Sequence, residues 1–236
     1  MLNNEQLNLQ KHPDFRFQVV PIGNEAQPLV IVDNFISEPD ALINHACELQ
    51  YNSDRTYYPG VRTQAPASYF KVMYDVLARI IFNVFKLPDN CVNTVAADFS
   101  IVTKPPQQLH VRQRIPHFDS NRPYEIAMIH FLCSESFGGT SFYRHKSTSY
   151  EYVDEQRRQP FMDVLERECQ MAEPPAQYIN GDSELFERIL SCDVKFNRLL
   201  IYRSTSLHSG NISSEYSFDP NPKSGRLTVT SFLLHN

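Results

Sequence analysis

Apolar residues recur at helical spacing from Ser68 to Lys86, at Phe70, Met73, Leu77, Ile80, Ile81, Val84 and Phe85, and predict the clearest helix in the chain. Upstream, the alternation Arg16-Phe17-Gln18-Val19-Val20 and the run Leu29-Val30-Ile31-Val32 predict two strands around a turn region from Pro21 to Pro28. Ser37-Glu38-Pro39-Asp40 supplies an N-cap, a proline in the first turn and an acidic start for a helix to about Tyr51, and Arg55 to Pro66 reads as a Tyr- and Pro-rich loop. After Pro88 the period changes. Val92 to Thr103 and Gln107 to Ile115 predict strands separated by Lys104-Pro105-Pro106, and Ile126 to Cys133 predicts a strand buried on both faces. Gly138-Gly139 turns the chain into a short strand at Thr140 to Tyr143.

Residues 146 to 195 interrupt this rhythm with a charged helical piece around Glu151 to Arg158, a break at Pro160, a second helix from Met162 to Met171 and a Pro174-Pro175 corner. Arg198 to Ser204 and Leu227 to His235 then predict closing strands. No internal repeat or low-complexity linker appears. The expectation is one domain over 1–236: N-terminal strands and supporting helices in 1–90, then an antiparallel β barrel in 91–236 carrying the 146–195 insertion. That insertion reads either as a lid or as an oligomer contact compatible with a homodimer.

Composition narrows the class. A chain of 236 residues buries roughly 70 to 75% of its unfolded surface, enough to fold without disulfide or metal staples. The net charge of -5 argues against a nucleic-acid partner, and no apolar run is long enough to span a membrane. Five scattered cysteines with no Cys-x-x-Cys pair read as reduced thiols, and the N-terminus lacks a signal-peptide pattern, so the expected location is cytoplasmic.

The chemistry concentrates in Arg114-Ile115-Pro116-His117-Phe118-Asp119. On extended backbone His117 and Asp119 project to one face, offering an imidazole and a carboxylate at one point. A third ligand is available at His208, directly after the apolar run Leu199 to Tyr202. Two histidines and one carboxylate with open positions suit non-haem Fe(II). Arg226, Thr228 and Thr230 share one face of the last strand.

The order His117-x-Asp119, Ile129 to Leu132, Gly138-Gly139-Thr140, His208 and Arg226 resembles the Fe(II)- and 2-oxoglutarate-dependent dioxygenases, in their prolyl-hydroxylase-like branch and a bacterial subgroup of it. The resemblance implies a mainly β fold with flanking helices, a double-stranded β-helix of the jelly-roll, cupin-like kind. It implies that His117, Asp119 and His208 hold Fe(II), and that Arg226, with Thr228 or Thr230, binds the far carboxylate of the cosubstrate 2-oxoglutarate. The implied reaction consumes dioxygen, converts 2-oxoglutarate to succinate and hydroxylates a small molecule or a protein side chain. Two features depart from the pattern. The stretch between His208 and Arg226 is long and polar, with Arg203 as the fallback cation, and Phe131 stands where relatives carry a tyrosine, with His130 or Tyr202 as substitutes.

Two rival readings remain from sequence. One is a catalytically silent jelly-roll binding protein; the other is a cupin-like metalloenzyme that does not use 2-oxoglutarate and has no need of Arg226. Among other polar residues, His145 and Lys146 read as a solvated loop and His235 as part of a flexible end. Tyr57-Tyr58-Pro59-Gly60 and Arg62 read equally as a pocket rim or an ordinary turn.

Overall fold

The computed structural model describes residues 7–53, 57–88, 94–213 and 215–234. The N-terminal strands form a hairpin, β1 (Arg16–Ile22) with β2 (Gln27–Asp33), in register from Arg16↔Asp33 to Ile22↔Gln27. Its turn wraps a buried carboxylate: the amides of Asn24 and Glu25 donate to Glu151 at 3.0 and 2.8 Å, and Gly23 at φ +56° leaves no side chain in the way. There follow α1 (Pro39–Cys47), β3 (Asn52–Ser53), β4 (Gly60–Gln64) and α2 (Ala67–Phe85). Helix α2 buries Tyr69, Val72, Met73, Leu77, Ile81 and Phe85 along one side and stops at Lys86, which is left-handed at φ 52° before Leu87-Pro88. Burying each of the five aliphatic and phenyl side chains contributes about 1.5–3 kcal/mol, against tenths for intrinsic helix propensity, so packing on the sheet holds this helix.

The remaining elements are β5 (Thr94–Val102), β6 (Ile126–Phe131), β7 (Thr140–His145), α3 (Glu155–Met171), β8 (Phe186–Cys192), β9 (Leu199–Arg203), β10 (His208–Gly210) and β11 (Leu227–Leu234). Eight strands make one antiparallel sheet in the order β1-β2-β9-β6-β11-β5-β4-β3, and three make a second in the order β10-β7-β8. The protein is thus mainly β with three flanking helices. Alternation along β11 shows how the large sheet divides two cores: Leu227, Val229 and Leu233 face α1 and α2, whereas Thr228, Thr230 and Phe232 face the opposite side, toward the small sheet. Helix α3 packs through Phe161 and Leu165 against a cluster that includes Tyr143 and Phe186 of the small sheet. Among the described residues no helix is long and apolar enough to cross a membrane, and the described cysteines, 47, 133, 169 and 192, are free.

Several local expectations are corrected. Gln107 to Ile115 is no strand but two 3-10 turns, Pro106–Gln108 and Val111–Gln113. Pro105-Pro106 lack N–H donors for a ladder, and the Gln113 side chain accepts from the His110 amide at 3.0 Å, closing the chain into a turn. Pro160 does not divide two helices. It lies inside the continuous α3, whose start is set by Asp154 accepting from the Arg157 amide at 3.0 Å; the proline forfeits one hydrogen bond near the first turns, where packing of Phe161 outweighs it. The Arg55 to Pro66 stretch contains β4, which pairs with β5 from Gly60↔Val102 to Gln64↔Asp98. The 146–195 segment holds a strand, β8, paired with β7. His145 is fully buried rather than solvated: Nε2 meets Glu168 Oε2 at 2.8 Å and Nδ1 meets Thr148 Oγ1 at 2.9 Å. Strands from 1–90 and from 91–236 hydrogen-bond in the same large sheet. The predicted strand start at Val92, together with Cys91 and His235, lies outside the described residues.

Candidate metal centre and its cavity

Pro116 to Asp119 is extended and pinned on both sides. The amide of His117 donates to the His208 carbonyl and the His208 amide to the His117 carbonyl, both at 2.9 Å, so this segment adds a bridge to the free edge of β10. The Asp119 amide donates to the Ser204 carbonyl at 2.8 Å, at the end of β9. Backbone pairing therefore brings together two side chains 91 positions apart in the chain. His117 Nε2 lies 3.7 Å from Asp119 Oδ1, His208 Nε2 lies 3.5 Å from Asp119 Oδ2, and the two imidazole centroids are 4.4 Å apart. One donor atom from each of the three residues falls within 4.8 Å of the others.

Protonation favours ligation. His208 Nδ1 lies 2.9 Å from the Ser206 carbonyl, which can only accept, so Nδ1 carries a proton and Nε2 is the atom that faces Asp119. His117 is pushed down to about 4, first by burial and then by the charge of His208 and Arg62, with Asp119 acting in the opposite direction. Its side chain is 53% exposed, yet that surface opens into a cavity rather than to bulk water, which reconciles accessibility with desolvation. Imidazole nitrogens and a carboxylate turned on one another form a cluster of donor atoms that a cation would satisfy. With metal–ligand bonds of about 2.0–2.1 Å, neighbouring donors lie about 3 Å apart, so the observed 3.5 and 3.7 Å need only slight tightening.

The cavity measures about 790 Å³ and extends from these residues to Arg226, Thr228 and Thr230. Arg226 is buried, and its guanidinium is aimed by the glycine pair: Nε donates to the Gly138 carbonyl and Nη2 to the Gly139 carbonyl, each at 3.0 Å. A Cβ on Gly138 would strike the Asn211 carbonyl and one on Gly139 that of Cys192, so the close approach of these strands requires both glycines. Guanidinium carries five N–H donors, which leaves three of Arg226 for another partner. Thr228 Oγ1 donates to the Ser100 carbonyl at 3.3 Å, and Thr230 Oγ1 meets the Ser100 hydroxyl. Two further hydroxyls lining the cavity, Thr140 Oγ1 and Ser204 Oγ, are buried without a hydrogen-bond partner among the described residues.

The substitutes considered for Phe131 separate. His130 faces the helices, held between Tyr69 Oη at 3.2 Å and Asn197 Oδ1 at 3.0 Å, and takes no part in the cavity. Tyr202 lines the cavity with its ring 4.8 Å from that of His208. Phe131 itself lies under Arg226, with the guanidinium carbon 5.5 Å from the ring centroid. Arg203 donates to the carbonyls of Pro123 and Phe85 and does not reach the cavity. Tyr57, Tyr58 and Arg62 do line it, Arg62 lying 4.2 Å over the Tyr58 ring. Sequence reasoning missed the wall supplied by α3: Arg158, Phe161, Met162 and Leu165 all line the cavity. Their i, i+3, i+4, i+7 spacing was the available signal, hidden once Pro160 is read as a helix break.

Comparison with solved structures finds the same overall fold in two proteins. The non-heme alpha ketoglutarate dependent carbocyclase SnoK from nogalamycin biosynthesis aligns with a TM-score of 0.51 and 12% identity, over 87% of this chain and 79% of that one. HygX from Streptomyces hygroscopicus, with nickel and 2-oxoglutarate bound, aligns with a TM-score of 0.51 and 10% identity, over 86% and 81%. No curated protein matches the sequence. Residues 13–233 match the family of unknown function DUF6445, and the chain belongs to that family.

Proposed function

We propose that this protein is an Fe(II)- and 2-oxoglutarate-dependent oxygenase built on a double-stranded β-helix. The strand order supports the architecture. From β5 onward the chain places β5, β6, β9 and β11 side by side in the large sheet, and the His117 bridge, β10, β7 and β8 side by side in the small one. Two sheets wound by one chain in this alternation form a jelly roll with its mouth between them. The order of motifs is the support for the prolyl-hydroxylase-like branch, and the cosubstrate named for SnoK and HygX agrees with the reading.

The observation that carries the proposal is the convergence of His117, Asp119 and His208 in one cavity that Arg226 also lines. His117, Asp119 and His208 would hold the metal facially, leaving positions for cosubstrate and dioxygen. The bound metal would supply dioxygen activation coupled to oxidative decarboxylation of 2-oxoglutarate, with oxidation of a substrate C–H bond. The protein's own residues do the positioning. The Ser206 carbonyl fixes the His208 tautomer, the paired backbones of 117 and 208 set the distance between imidazoles, and the remaining donors of Arg226 take the far carboxylate beside Thr228 and Thr230. Apolar walls from Ala127, Ile129 and Phe232 exclude water from that end. The substrate is an organic small molecule or a protein side chain admitted on the opposite side.

The test is an anaerobic titration of Fe(II)-loaded protein with 2-oxoglutarate, followed by the weak visible charge-transfer band of the chelate. Wild type should develop the band and Asp119→Ala should not. A band of equal strength in Asp119→Ala would overturn the ligand assignment.

A further inference from the structure

Four arginines, Arg62, Arg112, Arg158 and Arg226, line the cavity against two carboxylates, Asp119 and Glu125, in a chain whose net charge is -5. Positive charge is thus concentrated where the rest of the molecule is acidic. Glu125 is already opposed by Arg122, 3.6 Å away, and Asp119 belongs to the histidine cluster. Even with Arg226 assigned to a cosubstrate carboxylate and Arg62 lying over the Tyr58 ring, the guanidinium of Arg158 remains.

Helix α3 sharpens the point. Its arginines 157 and 158 are adjacent but treated differently. Arg157 is saturated: it donates to Glu25 at 2.6 Å and lies over the rings of Tyr150 and Tyr152 at 4.6 and 4.1 Å. Arg158 is exposed at the edge of the cavity, and its side chain has no hydrogen bond or ion pair among the described residues. One turn further along, Met162 is part-exposed on the cavity wall, backed by the buried Phe161 and Leu165, and the part-exposed Phe118 packs edge-on against Phe161 at 6.0 Å ring to ring. Arg112 meets Glu166 at 3.5 Å, both more than half exposed, a contact worth little, and its guanidinium lies 5.9 Å from the centroid of the Tyr57 ring. The volume of about 790 Å³ lies toward the upper end of the ~300–1,000 Å³ typical of ligand sites, so a second organic molecule fits beside a small dicarboxylate.

We infer that the α3 wall is a recognition site for an amphiphilic organic anion, its carboxylate or phosphate held by Arg158 and its apolar body by Phe118 and Met162. Read together with the proposed oxygenase chemistry, on which this assignment of a substrate class rests, the anion's apolar body is the part turned toward His117, Asp119 and His208. The planar fork of arginine suits either anionic group, and the apolar stripe excludes a small hydrophilic ion as the preferred ligand.

The test is calorimetric titration of the full chain with 4-phenylbutyrate, 4-phenylbutyl phosphate and neutral 4-phenylbutanol. Both anions should bind, the alcohol about tenfold or more weakly, as expected for losing one charge-assisted contact. The ratio of the two anion affinities tells whether carboxylate or phosphate is the preferred group. Arg158→Gln should weaken both anions by a similar factor and leave the alcohol unchanged, whereas Arg167→Gln, at an exposed arginine of the same helix outside the cavity, should leave all three unchanged. Equal binding of alcohol and acids, unaltered anion binding in Arg158→Gln, or an equal loss of it in Arg167→Gln would overturn the assignment. Repeating the titration with metal-free Asp119→Ala separates the two claims. Anion binding retained there, with the charge-transfer band absent in wild type, would sink the oxygenase reading and leave the anion site standing.

Discussion

Replacing Arg226 by glutamine tests whether its guanidinium serves a ligand or only braces the fold, because the two roles draw on different N–H groups. The Nε donor and one Nη2 donor are spent on the carbonyls of Gly138 and Gly139. Three donors remain, on a side chain that is 5% exposed and lines the cavity. Hydrogen bonds to charged groups contribute about 1.5–3 kcal/mol each, and truncating one partner of a buried charged pair costs about 2–5 kcal/mol. We therefore expect 2-oxoglutarate affinity to fall by about 2–4 kcal/mol, roughly 30- to 700-fold in Kd. Stability should also fall, since two carbonyls lose donors at about 1–3 kcal/mol for each left unsatisfied. Arg226→Lys keeps the charge but loses the fork, and should lie between wild type and glutamine in Kd. The assay is anaerobic titration of the Fe(II) protein, paired with a thermal melt of each variant. A lowered Tm with an unchanged Kd would refute the cosubstrate role and reduce Arg226 to a strut for the glycine turn.

Two further outcomes follow from groups away from the histidine cluster. His130 is pushed down to about 4 by burial, the Asn197 hydrogen bond acting the other way, so it stays neutral in the fold. Between pH 6.5 and 4 the unfolded chain binds a proton that the native state refuses, and stability should drop by up to about 3 kcal/mol across that window; urea unfolding at several pH values should show a shallower slope in His130→Phe, and an identical slope would contradict this. Gly139→Ala should destabilise by about 1–3 kcal/mol, because its Cβ meets the Cys192 backbone across the small sheet, and a melt indistinguishable from wild type would show that the strands can part without cost.

What the sequence disclosed depended on how local the cause was. Helix α2 and strand β11 were legible because their periods, 3.6 and 2, are written in consecutive residues. The meeting of His117 with Asp119 was legible for the same reason, as an i, i+2 pair on extended chain. Strand β4 was not, since a five-residue strand with mostly partial burial exists only because β5 offers it an edge. The burial of His145 was invisible because its partner Glu168 sits 23 residues away on a different element. Gln107 to Ile115 misled because its β-compatible composition was overruled by two prolines and one side-chain hydrogen bond. Continuity through Pro160 depended on Asp154 capping and Phe161 burial, neither of which the proline itself reveals.

The errors fall mainly on one side of the cavity. The histidine-cluster and Arg226 end is built from residues on paired strands, where register fixes each side chain and one residue of slip would turn His208 or Thr228 away. The α3 end is attached by side chains: His145 and Ser147 to Glu168, Arg157 to Glu25, and Arg114 to Glu173. A wall held in this way can change its cavity-facing residues without disturbing a ladder hydrogen bond. Chemistry common to a fold would therefore sit on the sheets, and discrimination among substrates on the helix, where the Arg158 side chain carries a charge that is unpaired among the described residues.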